Sequence, residues 1–322
     1  MNSMKAQILT ATLFTAFSGA LSAADHDLLN LVMPDAKVLA GVNVDQAKGT
    51  PFGQYILNQI QTNDADMQKL TTLTGFDPRR DVRELLVASD GTPGSKTGLA
   101  VAKGNFDVGK ITAAGMLQGV VTELYNGVTI LEDPKSQEHG IAFPDGNTVI
   151  AGDLASVKGA IDRLKSPQPL PAAVIGKVNQ WSNPQGNNPA QDAWFVTTVA
   201  PSSLAPVPKN GTGNNPMQGA FQNVLQAAGG VKFGAQVVFS GEATSDTAEH
   251  ANTLSDVIKL LINIAQMQTG TDPTAAALVK SVTVTPVDKV VTVTANLPQD
   301  VFQQMLQSGA KPAVHRVPAH KK

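Results

Sequence analysis

The chain begins like an exported protein and contains no cysteine. Together these facts constrain its fold, because an exported protein without thiols has no disulfides and must be held by a hydrophobic core. The leader has a positive start at Lys5, an apolar run over 6–21, and the small residues Ser22, Ala23 and Ala24. That is the order of a signal peptide, with cleavage expected after Ala23 or Ala24. The run is short and is broken by Thr10, Thr12, Thr15 and Ser18, whereas a spanning helix needs roughly 20 consecutive, mainly apolar residues. No Cys follows the leader, which excludes a bacterial lipoprotein. The segment 254–267 is the most apolar later stretch, but Asp256, Lys259 and Asn263 mark it as a packed helix.

Without the leader, 23 basic residues face 26 acidic ones. This balance argues against a nucleic-acid partner, which calls for a basic patch. A mature chain of roughly 300 residues can bury most of its apolar surface in one large or two medium domains.

Hydrophobic periodicity lays out the elements. Val38, Ala40, Val42 and Val44 alternate as in a strand, and Pro51 opens a helix carrying Phe52, Tyr55, Ile56 and Ile60. Gly75 is a helix C-cap. Strands are predicted at 84–88, 98–102, 120–124, 128–131, 141–143 and 148–151, and Asp153 caps a helix to Leu164. Ser166-Pro167-Gln168-Pro169-Leu170-Pro171 and the polar run 182–191 form a linker. Beyond it come a strand at 193–200, a helix from Met217 to Ala228 ended by Gly229-Gly230, and a strand through Ala235, Val237 and Phe239. A helix over 247–268, a hairpin of 281–285 with 289–297, and a last helix with Val301, Phe302, Met305 and Leu306 complete the chain.

The expected fold is α+β: two similar halves, each a mainly antiparallel sheet packed with helices. The divisions are a signal peptide (1–24), an N-terminal half (25–165), a linker (166–191), a C-terminal half (192–308) and a basic tail (309–322). The shared rhythm of strands and helices points to an internal duplication.

The chemistry is mostly negative. In Gly91-Thr92-Pro93-Gly94-Ser95-Lys96-Thr97 a Ser precedes the Lys and a strand follows, so the segment is a hairpin loop, not a phosphate cradle. There is no dinucleotide glycine motif and no nucleophile elbow. His26, His139, His250, His315 and His320 form no ligand pattern, and the last two belong to the tail. Asp77, Asp90, Asp133, Asp145 and Asp153 sit where turns and caps use carboxylates. Asn210-Gly211-Thr212 matches a glycosylation sequon but reads as loop. No cofactor and no metal is expected.

One surface stands out. Thr283 and Thr285 alternate with Val282 and Val284, and Thr292, Thr294 and Asn296 alternate with Val291, Val293 and Ala295. The hairpin therefore has an apolar face and a hydroxyl-rich one. The latter is a candidate interaction face for an envelope protein or a glycan.

Pro34-Asp35-Ala36-x-Val38, Gly75-Phe76-Asp77-Pro78-x-x-Asp81-Val82 and Leu85-Leu86-Val87-Ala88 together resemble exported bacterial proteins grouped as domains of unknown function. The resemblance covers about half the mature chain and implies a duplicated α/β half, without an activity or site residues. The expected function is a non-catalytic binding or scaffold protein of the bacterial cell envelope, periplasmic or extracellular, with no membrane segment after cleavage. The alternative is a metal-independent envelope hydrolase.

Overall fold

The computed structural model describes residues 24–62, 65–134, 138–182, 190–201, 216–268 and 273–309. Residues 1–23 of the leader, the sequon, and residues 310–322 of the basic tail with His315 and His320 lie outside the described residues.

The first part of the chain runs α1 (His26–Leu29), β1 (Val38–Asn43), α2 (Val44–Lys48), α3 (Pro51–Thr62), α4 (Ala65–Thr74), α5 (Pro78–Asp81), β2 (Val82–Ser89) and β3 (Gly98–Gly104). It continues through α6 (Val108–Met116), β4 (Val121–Tyr125), β5 (Val128–Glu132), β6 (His139–Ala142), β7 (Thr148–Asp153), α7 (Leu154–Lys165) and α8 (Ala172–Ser182). The remainder is β8 (Ala193–Thr197), α9 (Pro216–Gln222), β9 (Val224–Lys232), β10 (Gln236–Ser245), α10 (Ala248–Gln268), α11 (Pro273–Ser281), β11 (Thr283–Val287), β12 (Val290–Pro298) and α12 (Gln299–Gly309).

Local chemistry sets several boundaries. The Asn43 side chain accepts from Gln46 N and starts α2, while Asp153 accepts from Ser156 N and starts α7. Gly75 follows α4 at φ +74°, a conformation that favours glycine. Asp90 takes the Thr92 amide and the Ser95 hydroxyl, which closes the loop between β2 and β3 as a hairpin.

All twelve strands of the described residues join one antiparallel sheet in the order β11-β12-β10-β9-β8-β1-β2-β3-β7-β6-β5-β4. This corrects the expectation of a separate sheet in each half. The opening strands of the two halves, β1 and β8, pair edge to edge from Val38↔Thr197 to Val42↔Ala193. Neither half therefore keeps a free inner edge. Outward from this seam each flank has the same order: three successive strands, then a later strand returned against the third. β4 and β11 are the edges; Val121 and Leu124 are exposed on β4, and β11 carries the half-buried Pro286.

The register assigns every strand residue to one of two faces. On the first, the row Ile130, Ala142, Ile150, Val101, Leu86, Gly41, Trp194 crosses seven strands. It is closed by α1, α7 and α8 through Leu28, Val157, Ile161, Val178 and Trp181, all in one buried cluster. The second face carries α2, α3 and α5 near the seam and α6 toward β5. α9 and α10 cover it toward β12, where Ala220, Leu254 and Val291 form a smaller core.

Two expectations change. Residues 224–232 form strand β9 rather than the end of a helix, because β8 and β10 pair with it on both sides. The interval 166–191, read as a linker, contains α8. Val174, Val178 and Trp181 of that helix are buried in the main core, so the segment is structural.

Candidate ligand-binding cavity

On the second face, Ala102, Leu85, Val42 and Ala193 are consecutive partners on β3, β2, β1 and β8. They form the floor of a cavity of about 370 Å³. Val44 and Ala47 of α2 with Gly53, Ile56 and Leu57 of α3 roof it, and Phe233 and Pro78 stand at its sides. With strands about 4.8 Å apart, a four-strand row with small residues at both ends leaves room between sheet and helices.

The roof is held close by backbone contact. Thr50 Oγ1 donates to Ala47 O at 2.9 Å and accepts from Gly53 N at 3.0 Å. A Cβ on Gly53 would lie 2.0 Å from Ala47 O, so only glycine permits this junction. Phe52 is buried, its ring centroid 4.9 Å from those of Phe233 and Phe302. Phe239 meets Phe302 at 5.0 Å, tying α3 to α12 and β10. Aromatic pairs at these separations add packing specificity to their burial.

Beside the cavity, a hollow of similar size is lined by Lys48, Gln54, Leu57, Asp77, Arg79 and Arg80. Leu57 and Arg79 border both spaces. Each cation has a carboxylate: Arg79 with Asp77 at 2.8 Å, Arg80 with Asp81 at 2.7 Å, and Lys48 with Asp45 at 3.1 Å. Hydrogen bonds from Arg79 and Arg80 hold the Asp77 and Asp81 carboxyls below the ordinary carboxylate range. Lys48 Nζ also donates to Val82 O at 2.7 Å. The rim is thus polar but balanced in charge.

The next row of the same face, Ile141, Ala151, Ala100, Val87, Ala40 and Phe195, stays partly open. Ile141, Val87 and Phe195 are each at least 40% exposed. The row leads to a second cavity of about 300 Å³ between α6 and the β5–β6 hairpin, where Ile111, Ala114, Leu131 and Ile141 are joined by Gln118, Glu132, Asp133 and His139. An apolar strip therefore runs between the two hollows, the second of which carries polar side chains in its wall.

The hydroxyl-rich residues lie on the opposite side of the sheet. Thr283 pairs with Thr294 and Thr285 with Thr292, and Asn296 lies opposite Val238. They extend the core row past Trp194, through Gly230 and Ser240 to Thr294 and Thr283. The helix layer ends at Glu242, which takes Lys177 and Gln180 of α8. Beyond that contact Thr283, Thr285, Thr292 and Asn296 are exposed. The structure gathers these residues on one face, away from the cavity.

Among the described residues no group of three or more His, Asp or Glu side chains is placed to hold a metal ion. Likewise no described helix is long and apolar enough to cross a membrane. His250 is bonded to Asp246 of its own turn at 2.6 Å. Lys96, from the glycine-containing loop, pairs with Glu138 at 2.7 Å. Sequence patterns missed the cavity residues Val42, Leu85, Ala102, Ala193 and Phe233. The only signal of the first four is small or apolar side chains on the face of a strand opposite the main core, and Phe233 lies in the β9–β10 connection.

No protein-family model and no curated protein matches the chain. Among solved structures it is similar to TP0453 of Treponema pallidum in crystal form I, with a TM-score of 0.51 and 12% identity over 87% of this chain and 96% of that one. Crystal form IV of TP0453 gives a TM-score of 0.50 and 11% identity over 86% and 95%. At this identity the likeness is one of fold.

Proposed function

We propose that the protein is a non-catalytic binding protein whose cavity between the β1–β2–β8 floor and the α2–α3 roof receives the apolar part of a small ligand. The observation that carries this reading is the cavity's lining, which is apolar apart from Arg79 at the rim. Its volume of about 370 Å³ lies within the range of roughly 300–1,000 Å³ common for small-molecule sites. The balanced polar rim suits a ligand with a dipolar or uncharged head. For the hydrolase alternative, Asp77, Asp81 and Asp153 are engaged in caps and ion pairs, which leaves Glu132, Asp133 and His139 of the second cavity as its remaining candidates.

Export to a bacterial envelope, periplasmic or extracellular, belongs to this proposal and rests on the leader's pattern. So does origin by duplication, which the matching strand order on either side of the seam supports. The Thr283–Thr294 and Thr285–Thr292 pairs, exposed at Thr283, Thr285 and Thr292, offer a separate flat face for an envelope protein or glycan.

The test is titration with N-phenyl-1-naphthylamine, an uncharged apolar dye that brightens out of water. Saturable binding near one equivalent is expected. Ala193→Leu should fill the floor and weaken binding about tenfold or more, with melting temperature unchanged or raised. Absence of saturable binding, or a variant that binds like the parent, overturns the reading.

A further inference from the structure

Asp25 is the N-cap of α1, and its backbone N–H donates to Glu84 Oε1 at 3.0 Å. Glu84 stands on β2 opposite Lys103 of β3 and Asn43 of β1. Lys103 Nζ is 3.7 Å from Asp25 Oδ2 and 3.4 Å from Asp27 Oδ2. Three carboxylates, on Asp25, Asp27 and Glu84, therefore share a single described cation. Burial pushes the half-buried Glu84 carboxyl above its usual range and the Asp25 carboxylate adds to this, while the Asp25 amide and Lys103 oppose it. A second positive charge at the Asp25 nitrogen would correct this imbalance.

We propose that the chain is processed by hydrolysis of the Ala24–Asp25 peptide bond, and that the α-ammonium formed there docks onto Glu84 and completes the cluster at the start of α1. Water supplies hydroxide to the Ala24 carbonyl carbon, the C–N bond breaks, and the Asp25 nitrogen takes up protons to become the ammonium. The catalyst is a peptidase of the export route. Ser22 and Ala24 then occupy the third and first positions before the cut, the small-residue pattern such enzymes read. Cutting one bond earlier puts Leu21 at the third position and leaves the new ammonium on Ala24, which is only 5% exposed. A charge there would carry a desolvation cost. The unprocessed chain has only an amide at this point, so a charge-assisted contact in the fold is acquired on maturation.

The first test is intact-mass measurement of the protein exported by a bacterial host expressing the full chain. A chain beginning at Asp25 is expected. Any other start, or an uncut chain, overturns the proposal. The second test is Glu84→Gln, which keeps an acceptor for the Asp25 nitrogen but removes the charge. If the ammonium docks, the exported variant melts about 2–4 °C below the exported parent at pH 7. Without docking, relief of a buried carboxylate leaves the melting temperature equal or higher, which also overturns the proposal. The third readout is the α-amino pKa, expected above the ordinary range of about 7.7–8.0. Because the folded value is raised, the added stability is present below that range and is lost as pH rises through the folded pKa. An α-amino group titrating in the ordinary range sinks the docking step.

Discussion

Gly41 shows how much one absent methyl can hold in place. It sits on β1 directly opposite Trp194 of β8, and a Cβ there would lie 2.5 Å from two carbons of the indole ring. The ring lies over the backbone of the neighbouring strand and is only 6% exposed. Gly41→Ala should therefore overpack the seam and cost about 1–3 kcal/mol. The expected signature is a lower urea midpoint with an unchanged m-value, because the surface exposed on unfolding stays the same. The strand carrying Gly41 was legible in the alternation of Val38, Ala40, Val42 and Val44. The need for glycine was not, since its cause lies more than 150 positions away in sequence.

The four-residue helix α5 owes its form to charge more than to length. Asp77 caps its start by accepting Arg79 N, and Asp81 at its end reaches back to accept Asp77 N at 2.8 Å. Arg80 donates to Asp81 through both Nε and Nη2. The Asp81 carboxyl has a lowered pKa, held down first by its Arg80 hydrogen bond. A group depressed in the folded state adds stability above its unfolded pKa of about 3.9, and that contribution disappears as pH falls through the folded value. Asp81→Asn should thus destabilise the protein at pH 7, and the gap from the parent should shrink below pH 4 in melting curves followed by circular dichroism. Gly75-Phe76-Asp77-Pro78 made this turn readable, because caps and prolines act locally. β9 was not readable in the same way. Val224, Leu225 and Ala228 continue the helical spacing of Met217, Ala220 and Phe221, but β8 and β10 claim their backbone. Gly229-Gly230, which looks like a helix stop, instead makes room for Phe195 and Gln191: a Cβ would lie 2.9 Å from one and 2.6 Å from the other. Three prolines at 167–171 hid α8 in the same manner, since its helical character comes from packing on the sheet.

At the scale of the whole molecule, the β1–β8 seam makes both flanks parts of one sheet and one main core. Trp181 and Trp194 both belong to this core. Unfolding should be a single event in which tryptophan fluorescence and far-ultraviolet circular dichroism share one midpoint. Separate transitions would show that the flanks hold together independently. The cavity depends on the same long-range geometry: its residues span Val42 to Phe233, so local periodicity alone could not assemble it. The Thr face was legible because two adjacent strands alternate in step, yet where the helices stop short of it is visible only in three dimensions. The outer strands carry a last consequence. On β11, Pro286 lacks an amide hydrogen for an incoming strand, whereas β4 offers five residues with Val121 and Leu124 uncovered. A fibril must recruit at both of its ends. A sheet open along β4 and blunted along β11 is expected to stop after one addition, and light scattering at high concentration should then find pairs rather than polymers.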